Sequence, residues 1–559
     1  MTVTPWVEGL TFGEVLKQTA RRFPDHDALV FPQLDLRLPY RQFYAEVQQV
    51  ARALMALGVS PGDHVGIWST NWPQWIVLQF ATAQMGAVLV NVNPAYREHE
   101  LGFILKQADL HTLILTDAFK DGNYEEMLAG LVPEVKTQSC TEPLANPQFP
   151  KLRHAVSIRD ETGQPGIWNW QQFLAGAERI AESELEAAGA ALSAGMPVNI
   201  QYTSGTTGNP KGAMLSHRNL LLNAYYSGER MKITAADRIC IPVPFYHCFG
   251  CVLGTLLCAV HGAAMVIPAE AFDPVATMRA IEQERATALY GVPTMFNAVL
   301  HAPGREQSDF SSLRTGIMAG SPCPIELMRQ VTDKLNLSEM TIAYGLTEAS
   351  PLITQTDVGD ALELRVTTVG TAIPDVEVRI ADPATGDEMP GGEQGELWSR
   401  GHNIMLGYYK NEAATQAAIT EEGWLRTGDL AVMTATGHFR ITGRSKDVII
   451  RGGENIYPRD IEEFLLTHPQ VRDVQVVGLP DIHYGETVSA WVVPHNESLT
   501  EDALRAYCQG KVAHFKIPKY FVLVDAYPLT VTGKIQKYRL RDEGIRRFGL
   551  EQAAGVETA

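Results

Sequence analysis

The chain has 559 residues, room for three or four structural units at roughly 150 residues each, which excludes a small module stapled by disulfides or a metal. Apolar residues make up 45% and charged residues 20%, the balance of a soluble globular chain rather than a disordered or fibrous one. With 46 Lys and Arg against 64 Asp and Glu, the net charge of −18 repels nucleic acid and anionic membrane surfaces and argues against a general nucleic-acid partner.

The opening MTVTPWVEGL has neither a basic nor an apolar secretory region, so a cytoplasmic location is expected. Seven cysteines in such a chain read as reduced thiols rather than a disulfide framework. Hydrophobic periodicity then predicts a helix over 40–58, a strand over 64–69, a helix over 73–85, a strand over 87–93, a helix over 98–108 and a strand over 112–117. This is βαβ grammar. The Pro- and Gln-punctuated stretch 141–171 reads as surface loop, after which strands at 239–243, 264–268, 288–290 and 317–319 resume the alternation. Two doubly wound sheets follow. The most apolar run, 249–267, carries His261 and several glycines and reads as a buried helix and core strand, so no integral membrane segment is expected. From 370 to 444 short segments broken by DPATGDEMPGGEQGE predict a small β-rich unit. Beyond it, strands at 474–477, 488–493 and 520–524 with helices at 459–467 and 501–509 suit one small α+β domain.

The segment YTSGTTGNPKG, 202–212, packs Thr203, Ser204, Thr206 and Thr207 among Gly205, Gly208 and Gly212, so hydroxyl and backbone donors can surround a phosphate, with Lys211 adding a point charge. It precedes the helix-like SHRNLLLNAYY. A Walker loop needs Gly-Lys followed by Ser or Thr, whereas Lys211 lies between Pro210 and Gly212, so a mononucleotide-kinase reading fails.

That string, with YGLTEASP at 344–351, TGD at 427–429, GRSKDVIIRGGENIYP at 443–458 and PLTVTGKIQK at 528–537, resembles the signature of the acyl-adenylate-forming superfamily over nearly the whole chain. That superfamily includes acyl-CoA synthetases, carrier-loading adenylation domains and beetle luciferase. AGSPCP, SKDVIIRGGENIYP and HFKIPKY look most like the medium-chain acyl-CoA synthetases of mitochondrial type and their bacterial relatives. The resemblance implies an α/β fold: a large N-terminal domain, 1–445, of two doubly wound αβ subdomains plus a small β-barrel-like subdomain, then a small mobile α+β domain, 446–559, carrying a catalytic lysine.

A carboxylate resists a thiol because its leaving group would be oxide, so ATP must first turn it into an acyl phosphate anhydride at the α-phosphate. Negative charge gathers on that phosphorus, and positioning, fixed positive charge and a divalent cation supply the catalysis. Lys534 in TGKI is the choice for the charge bridging carboxylate and α-phosphate. It lies in a basic stretch, 511–547, with nine Lys or Arg and three Asp or Glu, which a polyphosphate or the CoA 3′-phosphate would use; Lys516 and Lys519 are candidate CoA contacts. Glu348 could hold Mg²⁺ while Thr347 bonds the α-phosphate.

By resemblance, Asp429 takes the ribose hydroxyls, Arg444 the ribose or phosphate, and Tyr344 the adenine face, with Ser321 and Pro322 at its edge. Resemblance also puts a pivot at Lys446, and Gly452 and Gly453 would let the pantetheine arm pass. His247 matches a position between acyl pocket and CoA tunnel. Its neighbours Cys248 and Cys251 have C-x-x-C spacing, but the surrounding residues are apolar at helical spacing, as for buried free cysteines.

The pocket floor is expected from the helix after Phe249, from 291–300 and from 318–321, segments that suit an aliphatic chain. An ammonium there would stay unpaired, at a cost of several kcal/mol. The expected reaction is ATP-, Mg²⁺- and CoA-dependent ligation of a small carboxylic acid, a medium-chain fatty acid first and an aryl or branched acid second. Transfer to a carrier protein lacks a carrier-like segment, and a nucleotide-binding regulator without turnover would have lost one of Lys211, Glu348, Asp429, Arg444 or Lys534.

Overall fold

The computed structural model describes residues 4–203, 210–321, 323–444, 447–451 and 454–554. Alternation of apolar strands and amphipathic helices produces two large mixed sheets. The eight-stranded sheet runs Gly407–Tyr408, Lys211–Ser216, Pro197–Thr203, Val88–Val92, His64–Trp68, Leu110–Leu115, His154–Ser157, Ile167–Trp168. Its strands from Pro197–Thr203 onward are parallel, and the two at the other edge are antiparallel. The nine-stranded sheet has a parallel centre, Glu339–Gly345, Thr315–Ala319, Ala288–Gly291, Arg238–Cys240, Ala264–Val266 and Asp27–Phe31, with antiparallel strands at both margins. Parallel strands buried on both faces need continuous apolar runs, and Val88–Val92 and Thr315–Ala319 are buried throughout.

Sequence order does not sort the strands into their sheets. Asp27–Phe31 and Leu36–Pro39, near the start, join the second sheet, while Pro197–Thr203 joins the first. The stretch 141–171 corrects the reading as surface loop: His154–Ser157 and Ile167–Trp168 extend the eight-stranded sheet, and Leu144, Phe149 and Leu152 are buried. Proline and glutamine between short strands hid them. No helix among the described residues is long and apolar enough to cross a membrane. The run 249–267 folds as a π-helix, Phe249–Leu256, an α-helix, Leu257–His261, and the strand Ala264–Val266.

The helix Pro73–Met85, opened by a proline at its first turn and closed by Gly86 at φ +85°, is almost wholly buried between the sheets. Trp75 meets Phe245 at 5.6 Å between ring centroids, and Gln79 Nε2 donates to the Cys251 carbonyl at 2.7 Å. One sheet's helix thus holds the segment that bears His247.

Residues after 370 form a four-stranded antiparallel sheet, Val376–Ala381, Gln394–Gly401, Leu425–Met433 and Phe439–Arg444. Residues 447–554 form a separate small lobe. Its sheet pairs Val471–Asp481 with Gly485–Pro494, Tyr520–Leu523 lies parallel alongside, and Ile449–Arg451 and Glu454–Ile456 complete it. Helices Pro458–Leu466 and Lys537–Arg547 pack on it around Ile461, Val476, Val488 and Phe521, and around Leu479, Trp491 and Leu540.

Candidate functional site

The site lies where both sheets, the four-stranded sheet and the small lobe meet. Strand Pro197–Thr203 ends in the hydroxyl-rich loop, and the chain returns as the antiparallel strand Lys211–Ser216 before Ser216 caps the helix His217–Arg230. The two strands that flank the loop pair with each other, so a strand stands between the loop and the helix, which corrects the reading of the loop as leading into a helix; the short GAML run gave too little alternation to be seen. Ser204, Gly205, Thr206, Thr207 and Gly208 lie outside the described residues. At the loop's margins, the Thr203 hydroxyl approaches Glu348 Oε1 at 3.4 Å, and Lys211 Nζ stands 4.9 Å from the ring centroid of Tyr408.

Strand Glu339–Gly345 delivers Tyr344 and then breaks into a single 3₁₀ turn, Thr347–Ala349. A Cβ on Gly345 would fall 1.9 Å from the Pro351 carbonyl oxygen, so this close return of the chain requires glycine. Glu348 is 9% exposed. Its Oε1 accepts from the Tyr408 hydroxyl at 2.7 Å, so its described hydrogen-bond partners are two hydroxyls rather than a cation.

Asp429, on Leu425–Met433, accepts from the Tyr344 hydroxyl at Oδ2, 2.8 Å, and from Arg444 Nε at Oδ1, 2.9 Å. Strand pairing places Arg444 directly opposite Asp429. The Asp429 charge raises the Arg444 pKa, and burial with that same charge pushes the Tyr344 phenol far above its ordinary value. The phenol stays a donor and the guanidinium a cation.

Lys534 enters from the small lobe and shares a small cavity with His247, Phe249, Val292, Gly320 and Thr532. Burial lowers its ammonium pKa. His247 Nδ1 accepts from the Phe249 N–H at 3.2 Å, which places the ring proton on Nε2, and burial, helped by the Lys534 charge, holds its pKa at about 3. The imidazole is neutral at physiological pH. Cys248, also buried, sets its Sγ 3.6 Å from His247 Nδ1 and 3.8 Å from the Thr347 hydroxyl. Burial raises its pKa to about 11, so it is a thiol rather than a thiolate.

Thr203, Lys211, Thr347, Glu348, Asp429, Arg444, His247 and Lys534 are thus gathered from segments far apart in sequence. Ser321 lies next to Gly320, its carbonyl accepting from the Cys323 thiol at 3.5 Å. Lys516 and Lys519 are paired within the small lobe, with Asp460 and Asp481, each at 2.8 Å. Pro322, Lys446, Gly452 and Gly453 lie outside the described residues.

Sequence reading missed Tyr408. It follows Gly407 in a two-residue edge strand, where an aromatic looks like ordinary core. In space it links Lys211 to Glu348. A hydrogen bond to a charged group contributes about 1.5–3 kcal/mol, so Tyr408→Phe is expected to lower acid-dependent ATP–pyrophosphate exchange by about tenfold or more. Because the ring remains, the thermal unfolding midpoint should barely move. Exchange equal to wild type would mean that the hydroxyl does not position Glu348.

Comparison with known proteins gives a uniform picture. Residues 16–409 match the family described as AMP-binding enzyme, and residues 460–534 match the AMP-binding enzyme C-terminal domain. The chain is 49% identical over 544 residues to a Bacillus subtilis (strain 168) protein named as an acyl-CoA synthetase, YngI, covering 97% of this chain and 98% of that one. It is 41% identical over 558 residues to the mitochondrial medium-chain acyl-CoA ligase ACSF2 of Danio rerio, covering 98% and 92%. Among solved structures, ATP-bound MatB from Rhodopseudomonas palustris superposes with a TM-score of 0.81 at 28% identity, over 95% of this chain and 98% of that chain.

Proposed function

This chain belongs to the AMP-binding enzyme family, and we propose that it joins a medium-chain fatty acid to CoA through an acyl adenylate made from ATP. It is an AMP-forming acid–thiol ligase. In the first half-reaction a carboxylate oxygen attacks the α-phosphorus and pyrophosphate leaves. In the second, the CoA thiol attacks the acyl carbonyl and AMP leaves.

The observation that carries the reading is Lys534, which shares one cavity with neutral His247 and Gly320 and interacts electrostatically with Glu348. An ammonium held out of water acts on developing phosphoryl charge more strongly than it would in solvent. In this proposal Lys534 bridges carboxylate and α-phosphate, and Lys211, Thr203 and the adjoining loop residues cradle the phosphates. Tyr344, Ser321, Asp429 and Arg444 hold adenosine. Glu348, a buried carboxylate whose side-chain partners among the described residues are the Thr203 and Tyr408 hydroxyls, suits Mg²⁺, which when bound neutralises phosphate charge.

The second half-reaction needs Lys534 to withdraw. We place the division between lobes at 445/446, with the pivot at Lys446; Gly452, Gly453, Lys516 and Lys519 would then face CoA. A cytoplasmic enzyme is the reading that the acidic surface and the bacterial relative support.

The neutral imidazole and the apolar Phe249, Val292 and Val243 around the cavity favour an uncharged aliphatic chain. ATP–pyrophosphate exchange and CoA-thioester formation across hexanoate to dodecanoate, a branched acid and benzoate test this. Straight medium chains should give the highest kcat/KM; a maximum at benzoate or at the branched acid would overturn the substrate assignment.

A further inference from the structure

One side chain outside the chemistry ties the Lys534 turn to the large lobe. The turn closes on itself: the Lys534 N–H donates to the Thr530 hydroxyl at 3.0 Å, the Thr530 N–H donates to the Lys534 carbonyl at 2.7 Å, and the hydroxyls of Thr530 and Thr532 are 2.7 Å apart. These bonds shape the turn without locating it. The Gly533 carbonyl is satisfied across the lobe boundary, where the Thr294 hydroxyl, in the first turn of helix Pro293–Leu300, donates to it at 2.9 Å.

Contact at this seam is close on both sides. Gly533 has φ +78°, and a Cβ there would stand 3.0 Å from Val292 Cγ2 and 3.1 Å from the Thr294 hydroxyl oxygen. Gly320, at φ +86°, would place a Cβ 3.1 Å from Val292 Cγ1 and 3.4 Å from Lys534 Cε. The lysine stem therefore passes over bare backbone, and Thr294 sets how far the turn advances. Two other bonds across the boundary, Gln394 Nε2 to the Tyr457 hydroxyl at 2.6 Å and Arg459 to the Ile441 carbonyl at 2.8 Å, join the four-stranded sheet to the start of helix Pro458–Leu466 and leave the lysine turn untouched.

We propose that Thr294 is a positioning residue, a latch that seats the Lys534 turn for adenylation and must release it before thioester formation. The inference rests on the two-lobe ligase reading and adds to it the group that sets the balance between half-reactions. Thr294 belongs to the large lobe and Gly533 to the small one, so rotation of the lobes separates the donor from its carbonyl.

The test measures both half-reactions for wild type, Thr294→Val and Thr294→Ser: acid-dependent ATP–pyrophosphate exchange, and CoA-thioester formation from chemically prepared acyl adenylate. Valine keeps the shape and removes the donor, so exchange should fall about tenfold while thioester formation stays within about twofold. Serine restores the donor and should restore exchange. Equal losses in both half-reactions, undiminished exchange in Thr294→Val, or no recovery in Thr294→Ser would each overturn the latch. A wild type that shows exchange with no acid would bring down the ligase reading, and the latch with it; an active wild type with an unsplit valine variant brings down the latch alone.

Discussion

Replacing Lys534 with alanine is expected to lower acid-dependent ATP–pyrophosphate exchange by about a thousandfold, the upper range for removing one preorganised charge or donor from a transition state. The reason is local. Lys534 reaches the cavity from the other lobe, and Arg444, the guanidinium whose charge acts on it, is committed to Asp429 at 2.9 Å. Thioester formation from preformed acyl adenylate should survive within about threefold, because that step calls for Lys534 to be elsewhere. Stability should not fall with activity. Burial lowers the lysine pKa, so the charged form is held at a cost in the folded protein, and the alanine variant should unfold at the same temperature or higher. Equal losses in both half-reactions, or a large drop in the unfolding midpoint, would contradict the assignment.

Glu348→Gln is the second large effect, about a hundredfold in adenylation, and it isolates charge from geometry. Glutamine has the same shape, and its carbonyl oxygen can still accept from Tyr408 and Thr203, as Oε1 does now at 2.7 and 3.4 Å. What disappears is the negative charge that would hold Mg²⁺. Two readouts check this: the exchange rate, and the Mg²⁺ concentration at which ATP protects the protein against thermal unfolding. Both should shift, the second toward higher Mg²⁺. An unchanged Mg²⁺ requirement would remove Glu348 from the metal site whatever happened to the rate.

These predictions draw on two kinds of information. Residue types suited to such chemistry are legible along the chain: a threonine- and glycine-rich loop, a strand that ends in Tyr344 and is followed by Thr347 and Glu348, Asp429 between short β segments, and a lysine in a late turn. Elements with strong periodicity were readable too, such as Pro73–Met85, found at its predicted limits. Weak local signals failed. The strand Lys211–Ser216 is short and flows straight into a capped helix, and His154–Ser157 is buried by partners rather than marked by its own alternation.

The sequence by itself determined the inventory: which groups can carry charge, donate hydrogen bonds or bury apolar surface. The tertiary structure alone decided their electrical state and reach. His247 is neutral because burial penalises its cation. Tyr408 matters because an edge strand brings its hydroxyl to Glu348. Thr294 meets Gly533 across 239 positions because two lobes close there. Proton affinity and hydrogen-bond partnership depend on the distance to atoms from remote segments, a quantity that no local pattern of residues encodes.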